Sequence, residues 1–365
     1  MKEKSHILFV MPKLNTGGAE RVIINIINHL DRDSFNISLI LFNSSGSLMD
    51  RVAKDINIYS LNISSVAKGV PNLLLKIYRL KPNIVFSGIG NLNLYISIFI
   101  PLIKLFLPKT KWIARQASIL TLNNRQEKSP KLYEWLYKRV YKNYHKVICQ
   151  SNYMGDDLIK NYNFPKEKTV VINNPIDTKN IDLLQKEPLT YPFPKDKIRL
   201  ISVGQLRFEK RQDLLLKAFA KLDNRYVLTI IGNGVKREEL EKLALELKIE
   251  DRVAFLGYKK NPYKYIKNSN ILVLTSEYEG FPNVILEANY CGVVAVSFNS
   301  IGGVSEIIKN GENGLLVPLK DIDALAKAIE SIKTDKYSSS NIRDITIKKY
   351  SIDLIIKKYE FILKG

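Results

Sequence analysis

Two glutamates, Glu279 and Glu287, are separated by seven residues and have the type and spacing to bind a polyhydroxy ligand. Pro282 favours the first turn of a helix, so Glu279 is predicted in the preceding loop and Glu287 on the helix face turned toward the same pocket. A buried carboxylate requires hydrogen-bond donors, and sugar hydroxyls supply them. The alternative is an acidic loop followed by an ordinary glutamate on the helix surface.

A basic loop, Gly204–Arg211, follows a predicted strand. Its Arg207, Lys210 and Arg211 can clamp a diphosphate, because arginine offers a planar fork of donors and lysine a compact charge. Three basic residues in so short a stretch equally describe a solvated loop.

Two pairs of glycines also follow predicted strands. Gly17 and Gly18, within Thr16–Arg21, would open a helix whose free N–H groups attract an anion, although a tight turn also requires glycine. The second pair is Gly232-Asn233-Gly234. A dinucleotide fingerprint would need a third glycine at position 237, where this chain has arginine, so a structural turn is predicted.

Short β-branched runs alternate with helical patterns along the sequence, and the strands and helices they predict must position these loops. They form two series, which predicts two doubly wound parallel sheets with ligands bound at the carboxyl ends of the strands. The turn-rich stretch 173–177, followed by Pro188, Pro192 and Pro194, is the predicted linker. The predicted strands are His6–Met11, Ile37–Phe42, Ile84–Ser87, Trp112–Ala114, Lys146–Gln150, Ile198–Val203, Tyr226–Ile231, Val253–Leu256, Ile271–Leu274 and Val293–Ser297.

The composition limits the classes of protein that fit. A length of 365 residues suggests two domains, and 45% hydrophobic residues exclude wholesale disorder. Two cysteines and three histidines exclude a disulfide framework and a His-rich metal site. Residues 1–180 carry 26 Lys and Arg against 12 Asp and Glu, so most of the net charge of +20 lies in the first half. This asymmetry favours an anionic surface as partner, unless the source proteome is simply basic.

Three motifs together resemble a known family. Glu279-x7-Glu287, the stretch 311–317 (Gly-Glu-Asn-Gly-Leu-Leu-Val) and the Gly17–Arg21 loop are similar to the retaining, nucleotide-sugar-dependent glycosyltransferases of family 4 (group 1), of the type that builds bacterial surface glycans. The resemblance runs from Phe9 to about Ile332.

The resemblance implies a GT-B fold, in which two Rossmann-like domains face each other across a cleft. The implied domains are an acceptor domain at 1–175, a nucleotide-sugar domain at 176–345, and a helix at 346–365 that crosses back to the first domain. It implies catalytic roles for Glu279, Lys210 and Arg207, and no metal or other cofactor. The implied donor-binding residues are Gly17, Gly18, Gly204, Tyr258, Gly280, Phe281, Pro282, Asn283 and Glu287.

The chain departs from the family pattern at two positions. Gln205 stands where the family usually has a diphosphate-binding arginine, and Arg207 is the expected substitute. Gln116 stands near a position where many relatives have a histidine or another polar residue for the donor sugar, so no histidine role is carried over.

The expected reaction is retaining transfer of a sugar from a nucleotide sugar to a glycan acceptor linked to a lipid diphosphate. The N-terminus has no signal-peptide pattern, which predicts a cytoplasmic enzyme attached peripherally to the anionic inner membrane. Leu94–Leu107 is either a buried helix or one that dips into the membrane, because it is too short to span a bilayer. Lys131–Tyr144 is either a membrane-surface helix or an ordinary helix packed by its leucines.

Two other functions remain as alternatives. A sugar-nucleotide epimerase has a similar fold, but that family's histidine and acid constellation is missing. A non-catalytic nucleic-acid-binding protein would explain the charge, but no recognition module is found and nucleic acid is not an expected partner.

Overall fold

The computed structural model describes residues 4–15, 17–333 and 336–365. The chain forms two compact units, the first from Met1–Pro175 with Ile352–Gly365 and the second from Ile176–Ser351. Each unit is built on its own parallel sheet.

The first unit contains a seven-stranded parallel sheet with the order β3-β2-β1-β4-β5-β6-β7. Helices cover both faces, which is why the central strands are almost wholly apolar. The strands are β1 (Ser5–Met11), β2 (Phe35–Leu41), β3 (Asn57–Ser60), β4 (Ile84–Ser87), β5 (Lys111–Gln116), β6 (Lys146–Cys149) and β7 (Thr169–Val171), and the helices are α1 (Gly18–His29), α2 (Val66–Leu80), α3 (Gly90–Lys104), α4 (Leu120–Asn124), α5 (Pro130–Val140) and α6 (Asn152–Tyr162).

The second unit contains a six-stranded parallel sheet with the order β10-β9-β8-β11-β13-β15, and β12 pairs separately with β14. Its strands are β8 (Ile198–Val203), β9 (Tyr226–Ile231), β10 (Val253–Gly257), β11 (Ile271–Leu274), β12 (Tyr278–Glu279), β13 (Val294–Phe298), β14 (Ile301–Gly302) and β15 (Gly314–Val317). Its helices are α7 (Thr178–Leu184), α8 (Gln212–Phe219), α9 (Arg237–Glu246), α10 (Tyr263–Lys267), α11 (Asn283–Tyr290), α12 (Val304–Ile307), α13 (Ile322–Ser331) and α14 (Ser339–Tyr350).

The C-terminal segment predicted as one helix from residue 346 is two helices. Helix α14 ends at Tyr350, Ser351 has extended backbone, and α15 (Ile352–Lys364) follows. Ile355 and Tyr359 of α15 are fully buried in the core of the first unit, in the same apolar cluster as Phe9 of β1. The chain therefore returns to the first unit at Ile352.

The two helices considered for a membrane role each have a buried and an exposed part. Helix α3 buries Ile96 and Ile100, whereas Leu105 and Phe106, just beyond its end, are 76% and 61% exposed. Helix α5 packs through Tyr137, which is buried, whereas Leu132 is 53% exposed. The alternative interpretation, a helix packed by its leucines, is therefore wrong for Leu132. Within the described ranges, no helix combines the length and apolarity needed to cross a bilayer.

Candidate active site

Two loops of the second unit diverge at the carboxyl edge of its sheet. The strand order runs outward in one direction from β8 and in the other from β11, so the point where the order reverses lies between these neighbours. Ligands of doubly wound sheets bind at such points. The loop after β8 carries Gly204–Arg211. The segment after β11, residues 275–282, contains the two-residue strand β12, so Glu279 lies in a short strand paired with β14 and not in the predicted loop. The basic loop and the glutamate motif are therefore adjacent.

An ion pair between Lys210 and Glu279 joins the two loops. Lys210 Nζ lies 2.7 Å from Glu279 Oε1, and Ser276 Oγ donates to the same oxygen at 2.6 Å. The Lys210 and Glu279 side chains are 24% and 13% exposed, so both reach solvent from a largely enclosed position. Charged hydrogen bonds of this geometry are stronger than neutral ones. Sequence reasoning missed Ser276, whose only signal is its position at the end of a buried strand.

Backbone and side-chain hydrogen bonds fix the positions of the two loops. Thr275 Oγ1 donates to the Lys210 carbonyl at 3.0 Å, and the Glu277 N–H donates to the Glu209 carbonyl at 2.8 Å. A third loop contributes the Gly303 N–H, which donates to the Glu279 carbonyl at 3.0 Å. The backbone on both sides of the ion pair is thus held before any ligand binds.

Close backbone packing explains the Gly232-Asn233-Gly234 turn. Gly232 has φ +143°, and a Cβ there would lie 1.8 Å from the carbonyl oxygen of Gly204. A Cβ on Gly234 would lie 2.2 Å from the Leu206 carbonyl oxygen. At Gly204 itself a Cβ would meet nothing within 4 Å. The Gly232–Gly234 turn therefore packs against the backbone of the Gly204 loop, and the space on the side where a Gly204 Cβ would point is open.

Helix α11 carries the second glutamate of the motif. Pro282 immediately precedes its first residue, Asn283, and Phe281 in the loop before it is 5% exposed. Glu287 is only 7% exposed, and the hydroxyl of Tyr263 lies 3.4 Å from its Oε1. Glu287 is therefore not the solvated helix glutamate that the alternative interpretation required. Sequence reasoning did not identify Tyr263.

Three other predicted side chains of this unit lie outside the Lys210–Glu279 ion pair. Arg211 makes two hydrogen bonds of 2.9 Å to Asp213, so its guanidinium is already engaged. Arg207 is exposed and makes no ion pair with any residue that the structure describes. Tyr258, directly after β10, is 49% exposed. Lys210 pairs with Glu279 and Arg211 Nη1 lies 3.9 Å from Glu277 Oε2, whereas the role of Arg207 stays a prediction.

In the first unit, Gly17 and Gly18 lie at the start of α1, as the sequence predicted, while Thr16 lies outside the described residues. The carboxylate of Glu20 folds back over this turn, where a Cβ on Gly17 would lie 2.1 Å from Glu20 Oε2. Burial raises the pKa of the Glu20 carboxyl. This loop thus already holds an acidic group of its own.

A buried polar cluster in the first unit surrounds the end of β5. Arg115 is fully buried, and its Nη2 donates to Asn174 Oδ1 at 2.6 Å. Gln116 Oε1 accepts from the Tyr141 hydroxyl at 2.8 Å, and its amide nitrogen donates to the Ser118 carbonyl at 3.0 Å. The Gln116 side chain therefore has partners within the first unit. An arginine in an apolar run was the one sequence signal of this cluster.

Within residues 4–15, 17–333 and 336–365, no group of three or more His, Cys, Asp or Glu side chains could hold an ion. Cys149 and Cys291 are free and buried, and burial raises the pKa of each thiol to about 12.

Two family models match consecutive parts of the chain. Residues 16–180 match the model described as Glycosyltransferase Family 4, and residues 185–349 match the model described as Glycosyl transferases group 1. Together they span nearly all of both units.

Curated relatives resemble the chain along most of its length. The N-acetylgalactosamine-N,N'-diacetylbacillosaminyl-diphospho-undecaprenol 4-alpha-N-acetylgalactosaminyltransferase of Campylobacter jejuni is 27% identical over 88% of this chain and 88% of its own. A second enzyme of the same organism, GalNAc-alpha-(1->4)-GalNAc-alpha-(1->3)-diNAcBac-PP-undecaprenol alpha-1,4-N-acetyl-D-galactosaminyltransferase, is 27% identical over 90% of this chain and 89% of its own.

Solved structures share the fold. Anabaena HepE, crystallised with UDP and glucose, superposes with a TM-score of 0.78 at 20% identity, covering 99% of each chain. A glycosyltransferase from Rickettsia africae superposes with a TM-score of 0.81 at 21% identity, covering 99% of this chain and 98% of its own. The GT-B fold with two Rossmann-like units is confirmed. The chain therefore consists of a Glycosyltransferase Family 4 domain in its N-terminal half and a Glycosyl transferases group 1 domain in its C-terminal half.

Proposed function

We propose that this enzyme transfers a sugar from a nucleotide-sugar donor to a glycan acceptor with retention of anomeric configuration. The observation that carries the proposal is the pairing of Lys210 with Glu279 where the strand order reverses, at 2.7 Å. A cation for a diphosphate and a carboxylate for sugar hydroxyls are the two groups that such a donor needs. The UDP-bound structures with the same fold support a uridine nucleotide.

The proposed mechanism is mainly electrostatic. As the glycosidic bond to the diphosphate breaks, the leaving group gains negative charge that Lys210, Arg207 and the helix N-terminus at Pro282 stabilise. One well-placed donor of this kind contributes about 3 kcal/mol, roughly a hundredfold in rate. The departing phosphate oxygen takes the acceptor's proton on the same face of the sugar, so no protein base and no metal is required.

The two glutamates bind the donor in this proposal. Glu279 accepts hydrogen bonds from the transferred sugar, and Glu287, buried beside Tyr263, accepts them from the ribose. They are therefore not the acid and nucleophile of a glycosidase.

The proposed acceptor is a glycan linked to a lipid diphosphate at the cytoplasmic face of the inner membrane. The two Campylobacter relatives are named for transfer to diphospho-undecaprenol glycans, which supports this class of acceptor. Surface-glycan biosynthesis is the corresponding process.

Helix α5 has the composition of a membrane-surface helix. Leu132 and Trp135 are 53% and 51% exposed, and the Arg139 guanidinium lies 5.0 Å from the Trp135 ring centroid. Lys138 and Arg139 follow in its last turn, and Lys142 comes just after it. Exposed apolar side chains flanked by bases suit an anionic bilayer.

A second exposed apolar group lies at the end of α3. Leu102, Leu105 and Phe106 are 53%, 76% and 61% exposed, and the Phe106 ring lies edge-on to Tyr78 of α2 at 6.0 Å. Helices α3 and α5 pack against each other, so we propose that both groups face the lipid surface.

A donor screen tests the proposed reaction. A panel of nucleotide sugars that starts with UDP-N-acetylgalactosamine is ranked by thermal shift, and those that bind are incubated with membrane lipid extract. We expect one nucleotide sugar to raise the melting temperature and to label a lipid-linked product. No shift and no transfer with any donor would contradict the proposal.

Liposome flotation tests the membrane surface. Binding should rise with phosphatidylglycerol content and fall with salt, because each interfacial base contributes about 1 kcal/mol and screening acts over about 10 Å at 0.1 M salt. Glutamine at Lys138, Arg139 and Lys142 should weaken flotation without changing nucleotide-sugar affinity. The matched control replaces three exposed lysines of the second unit, Lys195, Lys242 and Lys333. Equal flotation of both triple variants would show that α5 does not dock.

A further inference from the structure

We infer that the Lys210–Glu279 ion pair makes the site discriminate between the nucleotide sugar and the nucleoside diphosphate that remains after transfer. The inference rests on the proposed function, which places the diphosphate at Lys210. In addition to binding the sugar, Glu279 pairs with Lys210 before the donor binds and again after the product has left.

Lys210 is already paired with a carboxylate before a ligand binds. Lys210 Nζ lies 2.7 Å from Glu279 Oε1, so an incoming diphosphate must compete with a carboxylate for the same ammonium group. Glu279 cannot follow the lysine, because the Gly303 N–H holds its backbone and Ser276 holds its side chain at 2.6 Å. The ammonium group on its flexible stem therefore moves, and the carboxylate stays.

The two ligands then leave Glu279 in different surroundings. A nucleotide sugar brings hydroxyl groups that donate to the carboxylate and replace the lost ammonium. A nucleoside diphosphate lacks the transferred sugar and its hydroxyls, so Glu279, 13% exposed, keeps the Ser276 hydroxyl that the structure describes beside a new negative charge. Leaving a largely enclosed carboxylate without its cationic partner costs free energy. The product therefore binds less tightly than its phosphates alone would allow, which favours its release.

Two neighbouring charged side chains, Arg211 and Glu277, are already paired with other residues. The Arg211 guanidinium is engaged by Asp213, with two hydrogen bonds of 2.9 Å. The other carboxylate of the segment after β11, Glu277, pairs with Lys320 at 2.6 Å, and its second oxygen lies 3.9 Å from Arg211 Nη1. Glu277 is therefore a matched control, because its removal changes the charge of the same loop and leaves the Lys210–Glu279 pair intact.

The test is calorimetric titration of UDP into the parent enzyme and three variants. Glu279→Gln removes the competing charge and should tighten UDP binding about fivefold or more, the lower range of coupling between interacting sites. Glu279→Asp keeps the charge but shortens its reach toward Lys210, so UDP binding should also tighten, by a smaller factor. Glu277→Gln should change UDP affinity less than Glu279→Gln does, because Glu277 pairs with Lys320 and Arg211 and not with Lys210. Melting temperatures establish that each variant is folded.

A second titration uses the nucleotide sugar that stabilises the parent most in the donor screen. The ratio of the UDP dissociation constant to that of the nucleotide sugar should fall in Glu279→Gln. If UDP binds this variant no more tightly than the parent, or if Glu279→Asp binds UDP as the parent does, the ion pair does not discriminate, while the proposed function stands. If no nucleoside diphosphate binds the parent, the proposed function and this inference both fail.

Discussion

The aromatic ring of Phe281 lies edge-on to that of Tyr350, with centroids 5.7 Å apart and planes at 65°. Phe281 belongs to the loop before α11, and Tyr350 is the last residue of α14. The Tyr350 carbonyl accepts from the N–H of Ile176, the first residue of the second unit, at 2.8 Å, and its hydroxyl donates to the Glu306 carbonyl at 3.2 Å. The pair thus connects the glutamate loop with both ends of the second unit.

We expect Tyr350→Leu to lower the free energy of unfolding by about 2 kcal/mol and to weaken UDP binding, because the Phe281 loop loses its aromatic support. Tyr350→Phe, the matched control, keeps the ring and loses one hydrogen bond, worth about 1 kcal/mol. Burial raises the pKa of Tyr350 to about 12, so its hydroxyl is a donor at neutral pH. Urea unfolding and UDP titration measure both effects, and equal UDP affinity in the two variants would show that the ring does not position the loop.

Gly204 and Gly232 should respond oppositely to alanine. At Gly232 the new methyl group would lie 1.8 Å from the Gly204 carbonyl oxygen in a backbone of φ +143°, so Gly232→Ala should lower the melting temperature by several degrees. Gly204→Ala meets nothing within 4 Å and should leave the melting temperature unchanged. It should nevertheless weaken nucleotide-sugar binding, because the methyl group fills the space a ligand would occupy. Unchanged ligand affinity in Gly204→Ala would place the donor elsewhere.

Much of this architecture is predictable from the sequence, because buried parallel strands such as β8 and β9 are continuous apolar runs. The edge strands β3 (Asn57–Ser60) and β7 (Thr169–Val171) were missed. β3 is short and mostly exposed, so it has no apolar run to reveal it, and β7 has a β-branched run but only three residues. The break between α14 and α15 was missed because the sequence contains no proline or glycine at Ser351 to mark it.

The site could be predicted as a set of residues but not as a set of contacts. Glu279 and Lys210 are separated by 69 positions, and only the adjacency of β8 and β11 brings them together. The spacing of Arg207, Lys210 and Arg211 suggested one clamp. In the structure Asp213 engages Arg211, which no spacing rule reveals.

Glu287 and Glu279 should differ in their kinetic effects. Glu287→Ala should weaken nucleotide-sugar binding roughly tenfold or more, since a charged hydrogen bond contributes about 1.5–3 kcal/mol and ribose contacts act alike in the ground and transition states. Glu279→Ala should mainly lower kcat, because its contacts are made at the reacting sugar. Steady-state kinetics with a varied donor separates the two cases. Parental kinetics in both variants would refute the assignment of this site.

Chelation tests the proposed metal-free chemistry. We expect exhaustive EDTA treatment to leave the rate of transfer unchanged, because Lys210, Arg207 and the helix N-terminus at Pro282 are proposed to stabilise the leaving diphosphate. The assay compares treated enzyme with enzyme supplied with excess manganese or magnesium. A complete loss of activity that either ion restores would refute this mechanism.

Proton NMR of the transferred sugar tests the central claim most directly. The nucleotide sugar chosen by the donor screen is incubated with the enzyme and a lipid-diphosphate-linked acceptor, and the anomeric proton of the new linkage is assigned. We predict that the product has the anomeric configuration of the donor and that one nucleoside diphosphate is released for each sugar transferred. An inverted linkage, or conversion of the nucleotide sugar to an epimer without transfer, would contradict this account.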